Sequence, residues 1–167
     1  MSSSTPAPLA GLVVAVDGTS GSGKSSTSRG VAERLGLRYL DTGAMFRAMT
    51  WWMLQHGVDV HDPAAVAARV AEPDLVSGTD PLAPAITVDG TDVAVAIRGD
   101  DVNAAVSPVS AVPEVRARLL EMQRAVIARE SATGIVVERE AVGSVVVPDA
   151  PAKVYLSAAP AARAARR

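Results

Sequence analysis

The chain of 167 residues contains no cysteine and only two histidines, His56 and His61. Without cysteine there can be no disulfide, no thiolate nucleophile and no thiolate metal site. Two histidines are too few for an ordinary histidine-rich zinc site. We expect both to be exposed beside a turn, because no cluster of partner residues accompanies them. The chain is therefore not predicted to be a thiol enzyme or a zinc enzyme.

The sequence also lacks an excess of charge of one sign, since its formal net charge is −2 with acidic and basic residues interspersed. It has no global field for a nucleic acid polymer or an anionic membrane, and neither is a predicted partner. Residues 1–10 carry neither a basic region nor a long apolar run, so we predict a flexible tail and a cytoplasmic protein. No internal repeat is present, and the sequence predicts no oligomeric state.

Apolar runs alternate with segments of helical periodicity along most of the chain. Strands are predicted at residues 12–16, 38–40, 134–137 and 153–156, and helices at 24–35, 45–57, 63–70 and 113–129. A hairpin is predicted where Ile86–Val88 and Val93–Val95 flank residues 89–92. The stripe of Met45, Met49, Trp52 and Met53 is interpreted as core packing. Strands alternating with helices predict an α/β fold with a central parallel sheet.

A phosphate-binding motif follows the first predicted strand. Residues 18–25 read GTSGSGKS and fit the pattern G-x-x-x-x-G-K-[ST] between a buried strand and a helix, as that motif requires. The predicted ATP-binding residues are Gly18, Thr19, Ser20, Gly21, Ser22, Gly23, Lys24, Ser25 and Ser26. Inward-pointing N–H groups and the helix dipole would hold a polyanion without a large basic patch. The alternative is a Gly/Ser-rich turn with a solvated lysine.

Three side chains of this segment carry specific predictions. Lys24 is the predicted catalytic residue, because its charge can offset the charge that redistributes over the β- and γ-phosphates during phosphoryl transfer. Ser25 is the predicted protein ligand of Mg²⁺ bound with ATP. Asp17 has two open interpretations: it influences the magnesium shell, or it caps the turn.

Several segments together resemble the bacterial cytidylate kinases, a P-loop nucleoside monophosphate kinase family. The similar segments are residues 17–26 (DGTSGSGKSS), 39–47 (YLDTGAMFR), 145–154 (VVVPDAPAKV) and 163–167 (RAARR). The resemblance implies a three-layer P-loop NTPase fold with a small inserted NMP-binding region. It places a kinase-like domain at residues 11–167, the insert at about 56–112 and the start of a truncated lid at about 158–167.

The resemblance also assigns four substrate-binding residues. Thr42 matches a hydroxyl residue near the ribose, Arg47 an arginine on the acceptor phosphate, and Ser107 and Arg116 residues that face the cytosine base. Each has a plainer alternative: Arg47 and Arg116 as solvated surface arginines, and Ser107, which precedes Pro108, as the start of a turn.

The chain departs from the family pattern in two ways. The family carries Gly-Arg-Asp where this chain has Arg139, Glu140 and Ala141, so a phosphate-binding arginine becomes glutamate and a cytosine-binding aspartate becomes alanine. Both changes should weaken acceptor binding, unless a one-residue slip brings Arg139 into use. The family also continues past residue 167 through the rest of its lid.

The resulting function prediction is phosphoryl transfer from ATP to CMP or dCMP, giving ADP and CDP or dCDP. The alternative is a nucleotide-binding P-loop protein with impaired or absent kinase activity. A P-loop GTPase is disfavoured, because the sequence has no Asn-Lys-x-Asp motif.

Overall fold

The computed structural model describes residues 11–19, 23–140, 150 and 152–156, except the side chain of residue 140. The chain divides into two compact units. The first draws on residues 1–42, 79–84 and 124–167, and the second on residues 43–78 and 85–123. The predicted boundaries of the tail, insert and lid stay predictions.

Strands and helices alternate along most of the described chain. In chain order they are β1 (Val13–Gly18), α1 (Lys24–Leu35), β2 (Arg38–Asp41), α2 (Thr42–Gln55), α3 (Pro63–Ala67), β3 (Leu75–Ser77), β4 (Ile86–Val88), β5 (Thr91–Asp92), a 3-10 turn (Ala96–Arg98), α4 (Asp100–Ser110), α5 (Pro113–Arg129), β6 (Ile135–Glu140) and β7 (Ala152–Leu156).

The first unit contains a four-stranded parallel sheet in the order β2-β6-β1-β7. Its inner strand β1 is rich in valine, and Val14 and Val16 pack with Ala32 of α1 and Val136 of β6 in a buried cluster. Burial on both faces of a strand is what a continuous apolar run predicts. The sheet confirms the predicted α/β class with a central parallel sheet.

Local sequence signals set the helix ends well. Helix α1 occupies the predicted residues and ends at Gly36, whose φ of +67° and backbone N–H bonds to α1 carbonyls form a C-cap. Helix α5 also begins and ends where predicted. Asp62 caps α3 by accepting from the N–H groups of Ala64 and Ala65, but that helix ends at Ala67 and not at residue 70.

The second unit contains an antiparallel sheet in the order β3-β4-β5. The predicted hairpin is present, but its return strand is Thr91–Asp92, so the prediction of a strand at 93–95 was wrong. Asp89, at φ +50°, and Gly90, at +81°, make a tight two-residue turn that leaves no room for the longer loop we expected. The stripe of Met45, Met49, Trp52 and Met53 is buried, which confirms its packing role.

Helix α4 was not predicted. It runs through Ser107 and Pro108, so the alternative that Ser107 starts a turn was wrong. Val102, Ala105 and Val109 are its buried residues, at the spacing of one helical face. That spacing was the available signal.

Candidate active site

The phosphate loop joins the end of β1 to the beginning of α1, which is the strand–loop–helix context that the motif requires. Gly23 precedes α1 with φ +83°, in the left-handed region that favours glycine. Its carbonyl oxygen accepts the N–H of Thr27 at 3.1 Å, so the helix ladder starts at the loop itself. Ser20, Gly21 and Ser22 lie outside the described residues, and Ser26 is exposed on α1.

Lys24 is buried although it carries a charge, with an exposed fraction of 9%. Its ammonium Nζ donates to the carbonyl oxygen of Gly18 at 3.1 Å. The lysine therefore reaches back over the loop instead of extending into solvent. This placement disagrees with the solvated-lysine alternative, and its single backbone contact leaves two further N–H groups for ligand oxygens.

Ser25 donates its hydroxyl to a carboxylate that the motif does not contain. Its Oγ lies 2.6 Å from Oε1 of Glu138, which is buried near the carboxyl end of β6. The other carboxylate oxygen of Glu138 accepts the hydroxyl of Tyr39 from β2. Glu138 thus connects the first turn of α1 to two adjacent strands of the sheet.

Thr42 completes this group through the backbone. It is buried at the start of α2, and its Oγ1 donates to the carbonyl oxygen of Glu138 at 2.7 Å. The hydrogen of the Thr42 hydroxyl is therefore committed to β6, although its oxygen can still accept. The predicted role of Thr42 near a ribose stays a prediction.

The carboxyl group of Glu138 is electrostatically unusual. Burial raises its pKa, and the neighbouring Asp41 carboxylate raises it further, while the hydrogen bonds from Ser25 and Tyr39 and the charge of Lys24 oppose the rise. Burial likewise raises the pKa of the Tyr39 hydroxyl, so this group stays neutral and donates. A buried carboxylate with raised pKa beside a phosphate loop is typical of a functional site.

The oxygens of Ser25 and Glu138 fit a magnesium ion. Mg²⁺ usually binds one or two protein oxygens and completes its shell with water and phosphate oxygens. The residues that the structure describes contain no cluster of three or more histidine, cysteine or acidic side chains arranged to hold a metal.

Asp17 has a partner that the sequence analysis did not consider, and its two open interpretations stay predictions. Its carboxylate forms a bidentate ion pair with Arg139, in which Nε lies 2.9 Å from Oδ1 and Nη2 lies 2.8 Å from Oδ2. The two residues are direct partners in the β1–β6 register. Its partner is thus a residue 122 positions away.

The same register continues to the end of β6. Strand β6 pairs with β1 without interruption from Ile135 to Glu140, which lies opposite Gly18. The Arg139 side chain is paired with Asp17, and the idea of a one-residue slip relative to the family stays a prediction. Ala141 lies outside the described residues, so the effect of residues 140 and 141 on the acceptor stays a prediction.

The other three predicted substrate-binding residues belong to the second unit. Arg47 lies on α2, where its Nη1 donates to Oδ1 of Asn103 and to the carbonyl oxygen of Ile97 at 3.5 Å. Ser107 on α4 and Arg116 on α5 are both exposed. Their contacts with a substrate stay predictions.

Asn103 was missed by the sequence analysis. Its amide Nδ2 donates to the carbonyl oxygen of Arg98 at 3.4 Å while its Oδ1 accepts from Arg47. The two bonds fix which way the amide faces, so Asn103 presents an acceptor to the guanidinium. Nothing in the local sequence indicates this role, because Arg47 is 56 residues away.

Both histidines are exposed, as expected. The ring of His56 stacks on Trp52 with centroids 3.9 Å apart. His61 lies in the loop before α3, where its backbone N–H donates to Asp59. Neither lies in a metal-binding cluster of the described residues.

Comparison with known proteins identifies the family. The family model for cytidylate kinase matches residues 14–167. The chain belongs to the cytidylate kinase family. It is 59% identical to a cytidylate kinase of Streptomyces coelicolor over 93% of this chain and 67% of that protein. It is 54% identical to one of Streptomyces griseus over 100% of this chain and 72% of that protein.

Other cytidylate kinases agree with this assignment. The protein of Nocardia farcinica is 56% identical over the whole of this chain and 69% of its own length. The match extends well beyond the phosphate loop, so it confirms the family resemblance drawn from the four sequence segments. Among the helices that the structure describes, none is long and apolar enough to cross a bilayer.

Glu138 is another residue of the candidate site that the sequence analysis did not assign. A signal was present: an acidic residue ends the apolar run Ile135–Val137. Carboxyl ends of neighbouring parallel strands meet at one sheet edge, which is where α/β folds place ligands. Only the strand order reveals that β6 lies next to the strand of the phosphate loop.

Proposed function

We propose that this chain transfers the γ-phosphoryl group of ATP to CMP or dCMP, forming ADP and CDP or dCDP. The observation that carries the proposal is the arrangement of Lys24, Ser25 and Glu138 around the phosphate loop, in a chain that matches the cytidylate kinase family over residues 14–167. ATP and CMP are cytoplasmic metabolites, and we place the reaction in the cytoplasm.

The donor side is served by the first unit. Backbone N–H groups of the loop and the N-terminus of α1 hold the phosphates, and Lys24 exchanges part of its contact with Gly18 for phosphate oxygens. Ser25 and Glu138 hold the Mg²⁺ that accompanies ATP, directly or through water. When bound, that ion neutralises phosphate charge as the phosphoryl group transfers.

Glu138 also has a preparatory role in this scheme. It accepts the Ser25 hydroxyl in a 2.6 Å hydrogen bond and so fixes the rotamer of that side chain. A cation next to the carboxylate favours its charged form and offsets the effect of burial. The chain thus supplies positioning and charge stabilisation, and it needs no protein nucleophile.

The acceptor side rests on Arg47, Ser107, Arg116 and Thr42. A guanidinium can bind a phosphate by two parallel hydrogen bonds, which suits Arg47 for the CMP phosphate. Asn103 accepts a hydrogen bond from Nη1 of Arg47, so the other nitrogens of the guanidinium are available to a ligand. Base recognition by Ser107 and Arg116 would discriminate through polar groups that the wrong base leaves unpaired.

A coupled assay of ADP release with and without CMP tests the proposal. Release that requires CMP or dCMP and Mg²⁺ supports the kinase, and UMP serves as the base control. Triphosphate binding without CMP-dependent release of ADP would refute the proposal and indicate a nucleotide-binding protein without kinase activity. Variants tested in this assay should have the same stability in urea as the unaltered chain, so that a loss of turnover does not reflect unfolding.

Residues 140 and 141 give a second test, of the acceptor side. Glu140→Arg replaces a repulsive charge, and Ala141→Asp supplies an acceptor for the cytosine amino group. One recovered charged hydrogen bond contributes about 1.5–3 kcal/mol, so CMP affinity should rise about tenfold or more. Calorimetric CMP titration with a nonhydrolysable triphosphate present measures this, and equal affinities would show that neither position limits CMP binding.

A further inference from the structure

The carboxyl ends of β1 and β6 carry two residues of opposite charge that form an ion pair, and the proposed reaction does not use them. Asp17 and Arg139 are register partners, and their side chains have exposed fractions of 20% and 6%. Nε and Nη2 of the guanidinium face the two carboxylate oxygens at 2.9 and 2.8 Å. This is the fork geometry in which an arginine binds a carboxylate most strongly.

One nitrogen of the same guanidinium is left over. Nη1 of Arg139 is buried and has no hydrogen-bond partner in the part of the chain that the structure describes. The Asp17 carboxylate occupies the edge formed by Nε and Nη2, so Nη1 is directed away from it. A buried donor of a cationic group without an acceptor is costly, and the described residues do not supply an acceptor for it.

A second unpartnered group lies close by in the chain. The hydroxyl Oγ1 of Thr19, two residues after Asp17, is also buried with no partner among the described residues. Between them, the Gly18 carbonyl holds the ammonium of Lys24. Two cations are therefore anchored to consecutive residues at the start of the phosphate loop, and two buried polar atoms there are unsatisfied.

We propose that Arg139 is an anion-binding residue of this site, whose Nη1 donates to a phosphate oxygen of a bound nucleotide while Nε and Nη2 stay on Asp17. The inference rests on the proposed function, because it requires a nucleotide in the loop. The phosphates of ATP and of CMP share this chemistry, and separate titrations distinguish them. Asp17 orients the guanidinium and does not touch the ligand.

The experiment is a calorimetric titration with a nonhydrolysable ATP analogue and, separately, with CMP. The proteins are the unaltered chain, Arg139→Gln, Asp17→Asn and the double variant. Arg38→Gln is the matched control, since Arg38 is a half-exposed arginine on β2 in the same sheet. Loss of one charged hydrogen bond predicts about a tenfold or greater loss of affinity for one of the two nucleotides in Arg139→Gln. Asp17→Asn keeps Nη1 and should retain affinity.

The double variant separates ligand binding from mere neutralisation of Asp17. If Arg139 binds phosphate, Arg139→Gln lowers affinity by a similar factor whether residue 17 is Asp or Asn. Affinity restored to that of the unaltered chain in the double variant would overturn the proposal and make Arg139 a partner of Asp17 only. Unchanged affinities in Arg139→Gln would also overturn it.

Two controls keep the test decisive. If Arg139→Gln alone does not fold, the double variant is compared with Asp17→Asn instead, a pair in which no carboxylate is left unpaired, and affinity should still fall. Equal affinities in these two proteins would then refute the proposal. Failure of the proposed function is seen separately, as an unaltered chain that binds neither nucleotide.

Discussion

Two substitutions of Glu138 should have different effects. Glu138→Ala should lower the stability of the protein, whereas Glu138→Gln should preserve stability and weaken the use of Mg²⁺. Glu138→Ala removes the acceptor of the Tyr39 hydroxyl, whose residue is only 3% exposed. An unsatisfied buried donor costs about 1–3 kcal/mol, so the free energy of unfolding should fall, although the loss of a charge that burial disfavours offsets part of this cost. The Ser25 hydroxyl belongs to an exposed residue and can rebind water, so it adds little.

Glu138→Gln should be much milder for stability at pH 7. An amide keeps the size of the side chain, and hydroxyl groups can donate or accept, so both Ser25 and Tyr39 retain a partner. The change also removes a charge that burial disfavours, which is why the pKa of Glu138 is raised. We expect the variant to be as stable as the unaltered chain or more stable, in urea unfolding followed by circular dichroism.

The pH dependence of this comparison follows from the direction of the shift. A raised folded-state pKa means that ionisation of Glu138 opposes folding above its ordinary value of 4.5, and fully so above the folded-state value. The contribution of Glu138 to stability should therefore improve as pH falls through that window. The advantage of Glu138→Gln should shrink at the same time.

Glu138→Gln should weaken the use of Mg²⁺ even though it preserves stability. Outer-shell or weak ligand groups typically alter metal affinity 10- to 100-fold, so Glu138→Gln should raise the Mg²⁺ concentration for half-maximal activity by about tenfold or more. Titration of Mg²⁺ at saturating ATP and CMP measures this. An unchanged Mg²⁺ requirement would remove Glu138 from the metal site, and a stability loss equal to that of Glu138→Ala would refute the electrostatic reasoning.

Other predictions concern the loop and the acceptor arginine. Lys24→Ala should lower kcat about 100-fold or more with little change in circular dichroism, and a normal kcat would exclude its assigned role. Arg47→Ala should raise the KM for CMP about tenfold while leaving the KM for ATP nearly unchanged; equal effects on both would indicate a structural role. Asn103→Asp should also raise the KM for CMP, because a carboxylate competes with phosphate for Arg47, and Asn103→Ala is its control. Gly23→Ala should cost about 1–3 kcal/mol in urea unfolding, since Gly23 has φ +83°, and a neutral effect would argue against that conformation.

The elements predicted well from sequence are those whose signals are local. Helix α1 has a glycine at each end, and α5 has Pro113 at its first position and an apolar stripe that includes Val115 and Leu119. The sequence analysis missed helix α4 because Pro108 lies inside it. Near the carboxyl end of a helix, its ring is tolerated when Val102, Ala105 and Val109 bury one face.

The site was predictable only as far as its motif extends. Lys24 and Ser25 follow from the spacing of the loop, whereas the partner of Ser25 is 113 residues away and that of Asp17 is 122 residues away. These contacts depend on the order and register of parallel strands, which apolar runs alone do not encode. The same limit explains why the pairing of Arg139 with Asp17 could not be predicted from the sequence.

The insertion of the second unit between β1 and β6 has a consequence for biosynthesis. The two inner strands of the sheet pair directly, yet Gly18 ends the first and Ile135 begins the second. At about 5–20 residues per second, β1 emerges roughly 6–23 s before its main pairing partner is translated. Residues 43–78 and 85–123 are complete within that interval. On the ribosome, the inserted unit can therefore fold before β6 is available to pair with β1. During that time the apolar strand β1 is unpaired on its β6 side and accessible to chaperones.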